Sequence, residues 1–140
     1  MNVMFEERPG LHGFRIGVVT LDAEKSLNAL SLPMIEAMNH QLRVWQADEQ
    51  IACVVLRGNG GKAFCAGGDV RKLVDACREK PGEVPELARR FFADEYRLDY
   101  LLHTYGKPLI CWAHGYVMGG GMGLMQGAGI RIVTPSSRLA

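Results

Sequence analysis

Two glycine-dense stretches frame this sequence: Ala63-Phe64-Cys65-Ala66-Gly67-Gly68-Asp69, and Tyr116-Val117-Met118-Gly119-Gly120-Gly121-Met122-Gly123-Leu124. Each follows an apolar run of β type, Ile51 to Leu56 in the first case and Leu109 to Trp112 in the second, and each opens onto a segment with helical spacing. A chain that turns from strand into helix leaves the first N–H groups of that helix without internal acceptors. Glycine at such a turn tolerates positive φ and lets another molecule approach the backbone with no Cβ in the way. Taken singly, either stretch is a tight turn or a close helix contact. Brought side by side, the two could aim two amides at one oxygen atom, which is the geometry of an oxyanion hole.

The remaining segments alternate between strand and helix, so the fold class is α/β. Phe14 to Leu21 is β-branched and roughly alternating, a strand. Ser31 fits a helix N-cap and Pro33 the first turn, and beyond them Ile35, Met38, Leu42 and Trp45 form an apolar stripe to about Ala47. The near-continuous apolarity of Ile51 to Leu56 predicts a strand buried on both faces, and the strand, helix, strand order implies a parallel crossover. Arg57 to Lys62 reads as a flexible loop and Val70 to Ala76 as a helix whose start Asp69 caps. Pro81, Gly82 and Pro85 make Glu79 to Pro85 irregular.

The spacing of Leu87, Phe91, Tyr96, Leu98, Leu101 and Leu102 predicts a helix from Glu86 to about Thr104. Glu95 sits in its middle, where acids are mostly solvated. Leu109 to Ala113 is the next strand, and His114 at its end is expected to hydrogen-bond the turn backbone rather than act as a base; His12, His40 and His103 need no special role. Met122 to Ala128 reads as helix and Ile130 to Val133 as strand, and Arg138 to Ala140 starts an extended run that stops at once. That ending predicts that the chain is the front part of a longer polypeptide.

Composition narrows the function by exclusion. With 16 basic against 15 acidic side chains in 140 residues there is no broad electrostatic signature for nucleic acid or membrane, so an anionic ligand must be met locally. No stretch approaches the roughly 20 apolar residues of a membrane span, and the acidic N-terminal segment lacks a signal-peptide core, which predicts a soluble, cytoplasmic protein. The four cysteines include no C-x-x-C spacing, so no metal is expected. Cys65 lies in a glycine turn where free N–H groups can lower a thiol pKa, but no histidine is near it in sequence, a weak case for a nucleophile.

The other glycine motifs fail. Gly121-Met122-Gly123-Leu124-Met125-Gln126 lacks the third glycine of a dinucleotide fingerprint, Gly61-Lys62 is followed by alanine where a P-loop has Ser or Thr, and there is no G-x-S-x-G elbow.

Three ordered motifs resemble the crotonase (enoyl-CoA hydratase/isomerase) superfamily across nearly the whole chain: Lys25-Ser26-Leu27-Asn28-Ala29-Leu30, Ala63 to Asp69, and His114 to Gly121. The resemblance implies a repeated ββα spiral, incomplete in this chain, with residues 1–140 as the N-terminal part of such a domain. It implies that the backbone N–H groups of Gly68 and Gly120 hold the thioester oxygen of an acyl-CoA substrate, with coenzyme A present only as part of that substrate and no separate cofactor. The backbone around Ala66 and Gly67 would meet the adenine end, and Lys25 would lie near the phosphates. The one protein partner expected is a further copy of the chain, in a homo-oligomer.

Hydratases of the superfamily carry a glutamate where this chain has Gly123, so one of the two carboxylates expected for adding water to a double bond is absent. Cys-Ala-Gly-Gly-Asp at Cys65 to Asp69, the pair Phe91-Phe92 ahead of Glu95-Tyr96, and Met-Gly-Gly-Gly-x-Gly at Met118 to Gly123 instead look like the 3-hydroxyisobutyryl-CoA hydrolase branch. In that branch the glutamate matching Glu95 contacts the substrate, and the main acidic residues fall beyond the position of Ala140. The chain alone should therefore keep binding surface and little turnover. Alternatives are an enoyl-CoA hydratase or isomerase using other carboxylates, and a non-catalytic CoA-ester-binding or assembly module.

Overall fold

A computed structural model describes residues 2–140 and shows two sheets flanked by helices. The larger sheet has the order β1-β2-β3-β5-β7, formed by Val3–Pro9, Arg15–Leu21, Ile51–Gly58, Leu109–Ala113 and Ile130–Val133. β1 runs antiparallel to β2, and every later neighbour is parallel. The smaller sheet has the order β4-β6-β8, formed by Ala63–Cys65, Tyr116–Val117 and Arg138–Leu139, all parallel.

The chain thus lays one strand in the large sheet, the next in the small one, and then a helix. β3, β4 and α2 (Arg71–Glu79) make one such unit, and β5, β6 and α4 (Gly120–Gly127) make another. β7 and β8 are the two strands of a further unit. This is the repeated ββα spiral that the motifs imply, with α3 (Glu86–His103) inserted after α2.

Helix α1 (Leu32–Ala47) starts where expected, with the Ser31 hydroxyl accepting from the Met34 N–H at 3.4 Å and proline in the first turn. Its buried line of Met34, Ile35, Met38, Leu42 and Trp45 packs on the large sheet and against α3. Burying five such side chains contributes roughly 1.5–3 kcal/mol each before the entropy cost of ordering them. Gly17 in β2 has a steric reason, since a Cβ there would lie 2.6 Å from the Trp45 ring. The indole N–H of Trp45 donates to Glu7 on β1 at 2.9 Å. That contact ties in a strand whose sequence, VMFEERP, carries too many charges to announce itself.

Several expectations need correction. β3 is not buried on both faces: Ile51, Val54 and Leu56 are buried while Ala52 is exposed and Val55 half-buried. Helices cover one face of the large sheet here, and on the other Val55 lines an open cleft with Trp112 and His114. Arg57 and Gly58 belong to β3 rather than to a loop, and α2 runs on to Glu79. α4 begins at Gly120, two residues earlier than its apolar spacing suggests, so the glycines form its first turn. Among the described residues, no helix is long and apolar enough to cross a membrane.

Candidate active site

The first glycine stretch leaves β4 and crosses in front of α1. Leu30 N–H donates to the Gly67 carbonyl at 2.8 Å, and Asp69 N–H donates to the Leu30 carbonyl at 2.7 Å. Gly68 lies between these two ladder bonds, so its own N–H is turned away from Leu30. Gly67 holds φ at +117°, a value glycine adopts without strain. The N-cap of α2 is Val70 and not Asp69 as expected; from one residue earlier, Asp69 still accepts from the Arg71 N–H at 3.3 Å.

The second stretch leaves β6, which pairs with β4, so both junctions exit the small sheet at the same end. Gly119 turns the chain with φ at +52°, and Gly120 opens α4. Gly120 N–H is among the first-turn amides that a helix leaves without an internal acceptor. The turn sits close against β4: Met118 N–H donates to the Cys65 carbonyl at 3.1 Å, and a Cβ on Gly121 would overlap that same carbonyl. A Cβ on Gly120 would stand 3.6 Å from the Gly68 nitrogen, and one on Gly67 would stand 3.9 Å from the Gly120 nitrogen. Residues 52 positions apart therefore present their peptide nitrogens across one small gap.

Helix α3 closes this gap. Phe91 packs so that a Cβ on Gly68 would meet its ring at 3.0 Å, and a Cβ on Gly120 would overlap Oε1 of Glu95. Glu95 is 6% exposed, against the expectation of a solvated helix acid. The buried line of α3 runs Ala88, Phe91, Glu95, Leu98 and Leu102, and Tyr96, placed on that line by its apolar character, is exposed instead. The signal was present in the spacing: Glu95 is four residues after Phe91 and three before Leu98. Glu95 and Asp99, one turn further on, line a cavity of about 490 Å³ with Gly68, Gly120, Gly123 and Gln126.

Burial raises the carboxyl pKa of Glu95 above its usual range, and the neighbouring Asp99 carboxylate raises it further. Burial also raises that of Asp99, opposed by His103. The Cys65 thiol points the other way chemically. It is fully buried and pushed up to about 12 by desolvation, which outweighs the lowering effect of the Gly67 backbone, and it donates to the Gly67 carbonyl as a neutral thiol, so it is a packed core group and not a nucleophile.

Lys25 is exposed on a 3-10 turn at Glu24–Ser26, beside the site rather than in it. Buried Asn28 fixes this turn: its Oδ1 accepts from Ala23 N–H at 2.8 Å, and its Nδ2 donates to the carbonyls of Asn59 at 3.0 Å and Ala63 at 2.9 Å. One cleft joins Lys25 to Gly68 and Asp69, and Arg71, which the motifs do not single out, lines it as well. Ala66 borders the same loop, and its N–H is spent on the Leu27 carbonyl at 3.0 Å. His114 does hydrogen-bond the turn backbone, with Nε2 2.7 Å from the Gly60 carbonyl. Among the described residues, no group of three or more His, Cys, Asp or Glu is placed to hold a metal ion.

Comparison with known proteins identifies the family. The chain is 43% identical over 124 residues to the mitochondrial 3-hydroxyisobutyryl-CoA hydrolase of Xenopus tropicalis, a match covering 89% of this chain and 31% of the relative. It is 41% identical over 118 residues to the human protein of that name, covering 84% and 30% respectively. The chain thus spans about a third of the length of these relatives, whose mitochondrial names lend no support to a cytoplasmic location. Among solved structures, an enoyl-CoA hydratase from Rhodobacter sphaeroides superposes with a TM-score of 0.89 at 31% identity, covering 100% of this chain and 39% of that one. A carnitinyl-CoA dehydratase from Mycobacterium thermoresistibile gives 0.87 at 33% identity, covering 99% and 38%. The enoyl-CoA hydratase/isomerase family profile matches residues 16–140. By motif, fold and sequence, the chain belongs to the enoyl-CoA hydratase/isomerase (crotonase) family.

Proposed function

We propose that the full protein hydrolyses a short-chain acyl-CoA thioester of the 3-hydroxyisobutyryl-CoA type, with the N–H groups of Gly68 and Gly120 receiving the thioester oxygen. The observation that carries this reading is the approach of the two glycine turns beside the buried carboxyl of Glu95. As water or a carboxylate attacks the thioester carbon, negative charge grows on the carbonyl oxygen. Two fixed amides stabilise that oxygen more than they stabilise the ground state, and losing one such donor typically costs roughly 10²–10³ in rate. The carbon–sulfur bond then breaks and CoA leaves as the thiol, taking a proton from the water consumed; where a carboxylate attacked first, that water cleaves the resulting anhydride to the free acid.

The surrounding residues divide the substrate between them. Glu95 contacts the acyl group. Lys25 and Arg71 flank the cleft that leads to the amides, where they can pair with phosphates of the CoA moiety. With its N–H engaged, Ala66 has its carbonyl to offer the adenine amino group, beside the extended turn at Gly67.

A second reading, hydration of an enoyl thioester, draws on the names of the solved neighbours. Gly123 speaks against it, since this position brings no carboxylate of its own to the cavity. The test is to incubate the full-length protein with 3-hydroxyisobutyryl-CoA and with a 2-enoyl-CoA, following free thiol and enoyl absorbance separately. Thiol release from the hydroxyacyl ester is expected. Loss of enoyl absorbance without thiol release overturns the hydrolase reading, and tight binding of both esters without turnover favours a binding module.

A further inference from the structure

Asp99 is oddly placed for a structural residue. Its carboxylate lies over the backbone of Gly123, where a Cβ would stand 3.1 Å from Oδ2 and 3.2 Å from Oδ1, so only glycine leaves it its full room. Oδ1 is sealed from solvent without a hydrogen-bond partner. A buried acceptor left unmatched costs about 1–3 kcal/mol, more for a charged group, so this side chain weakens the fold that holds it. Its carboxyl lines the same cavity as Glu95, which is 6% exposed and engaged in no ion pair or hydrogen bond among the described residues.

Two carboxyl groups one helical turn apart, with no hydrogen-bond partner among the described residues and facing one cavity beside the two glycine amides, form with Gln126 a polar end to a wall that also holds Phe91, Phe92 and Met122. Taking the acyl-CoA reading above as its basis, we propose that Asp99 is a specificity-determining residue: together with Glu95 it receives a hydroxyl group on the acyl chain of the bound thioester. A hydroxyl is at once a donor and an acceptor. A pair of carboxyls that shares one proton offers one acceptor and one donor, which an alkyl chain cannot use. Burial raises the proton affinity of both groups, as such sharing requires. An unhydroxylated acyl group would leave both carboxyls desolvated and unmatched, and a polar site rejects a ligand lacking its hydroxyl more strongly than an apolar pocket rejects an extra one.

The experiment is isothermal titration of the full-length protein with non-hydrolysable ketone analogues of 3-hydroxyisobutyryl-CoA and isobutyryl-CoA, in which CH2 replaces the thioester sulfur, for the wild type, Asp99→Asn and Asp99→Ala, with melting curves alongside. The wild type should prefer the hydroxylated analogue. Both variants should lose that preference by about tenfold or more, the scale of one hydrogen bond to a charged group, while melting no lower than the wild type. A third variant, Gly123→Ala, should erode the preference by crowding Asp99 without touching its chemistry. Equal losses on both analogues, or an unchanged preference, overturn the assignment of Asp99 and leave the acyl-CoA reading intact. If the wild type binds neither analogue, the acyl-CoA reading itself fails and the assignment goes with it.

Discussion

Replacing Gly120 by alanine tests the active-site geometry with one methyl group. The new Cβ would fall closer than 3.0 Å to Oε1 of Glu95, a separation that real Cβ atoms essentially never show, while the Gly68 nitrogen at 3.6 Å is an ordinary contact. Backbone cannot yield easily there, but the end of a glutamate side chain can, and it must retreat by roughly 1 Å to restore van der Waals distance. A displacement of about 1 Å in a positioning group can cost on the order of 10²-fold in rate, or about 2.7 kcal/mol. The fold should not suffer, because alanine is a better helix former than glycine. We expect kcat/KM of the full-length protein for 3-hydroxyisobutyryl-CoA, read by thiol release, to fall about 10- to 100-fold with an unchanged melting temperature. The diagnostic variant is the pair Glu95→Ala with Gly120→Ala. If the methyl acts through the carboxyl, it has nothing left to displace, and the double variant should match Glu95→Ala alone to within about 0.5 kcal/mol. Multiplying losses would refute the reasoning and move the effect of residue 120 to the substrate itself.

Three further outcomes follow from the same contacts. Asn28→Ala removes a buried side chain that makes three hydrogen bonds and strands two carbonyls and an amide, so chemical denaturation should show a loss of roughly 2–4 kcal/mol, accompanied by weaker binding of CoA esters as the Lys25 turn loosens. Because Glu95 and Asp99 hold raised carboxyl pKa values, the native state binds more protons than the unfolded chain in the window from the ordinary carboxylate range up to the raised values. Their contribution to stability is full below that window and lost as pH rises through it, so the advantage in melting temperature of the double variant Glu95→Gln, Asp99→Asn should grow with pH; a gap independent of pH would count against it. Alkylation of the native protein should modify exposed Cys77 and spare Cys65 and Cys111, both buried with thiols pushed up to about 12; rapid loss of the Cys65 peptide on mass mapping would contradict its burial.

How much of this was readable in the chain depends on what kind of signal each feature leaves. Helices α1 and α3 are evident because a stripe of large apolar residues at spacings of three and four must be buried somewhere. The ββα path is harder to see, since β4, β6 and β8 are only 3, 2 and 2 residues long and carry no periodicity of their own. Their pairing depends on the turn glycines, and Gly67 and Gly119 were legible as glycines without revealing their partner strands. β1 was hidden by its charges, and the open face of β3 by the apolarity of Val55. Asp99 left no trace at all, because what makes it unusual is the bare backbone of Gly123, 24 residues away, and not its own neighbours in sequence.

The glycines of the second stretch illustrate why a site of this kind is built from backbone. Each sits where a side chain would strike something different: Gly121 the carbonyl of Cys65, Gly120 the carboxyl of Glu95, Gly123 the carboxyl of Asp99. The first contact lets α4 dock on β4, which sets where the Gly120 amide points. The other two let α3 bring Glu95 against the backbone of Gly120 and Asp99 against that of Gly123. One run of four glycines in five residues therefore performs the assembly of the small sheet, the exposure of an N–H and the admission of two carboxyls, and these tasks cannot be separated by moving the chain. Substitutions should sort by neighbour rather than by size: alanine at 121 should cost folding stability, because a carbonyl in a paired strand cannot give way, whereas alanine at 120 or 123 should cost function, because a carboxyl can. Melting curves for the three alanine variants beside their affinities for the hydroxylated analogue measure that division. A fall in melting temperature shared equally by all three would mean that packing alone keeps these positions bare.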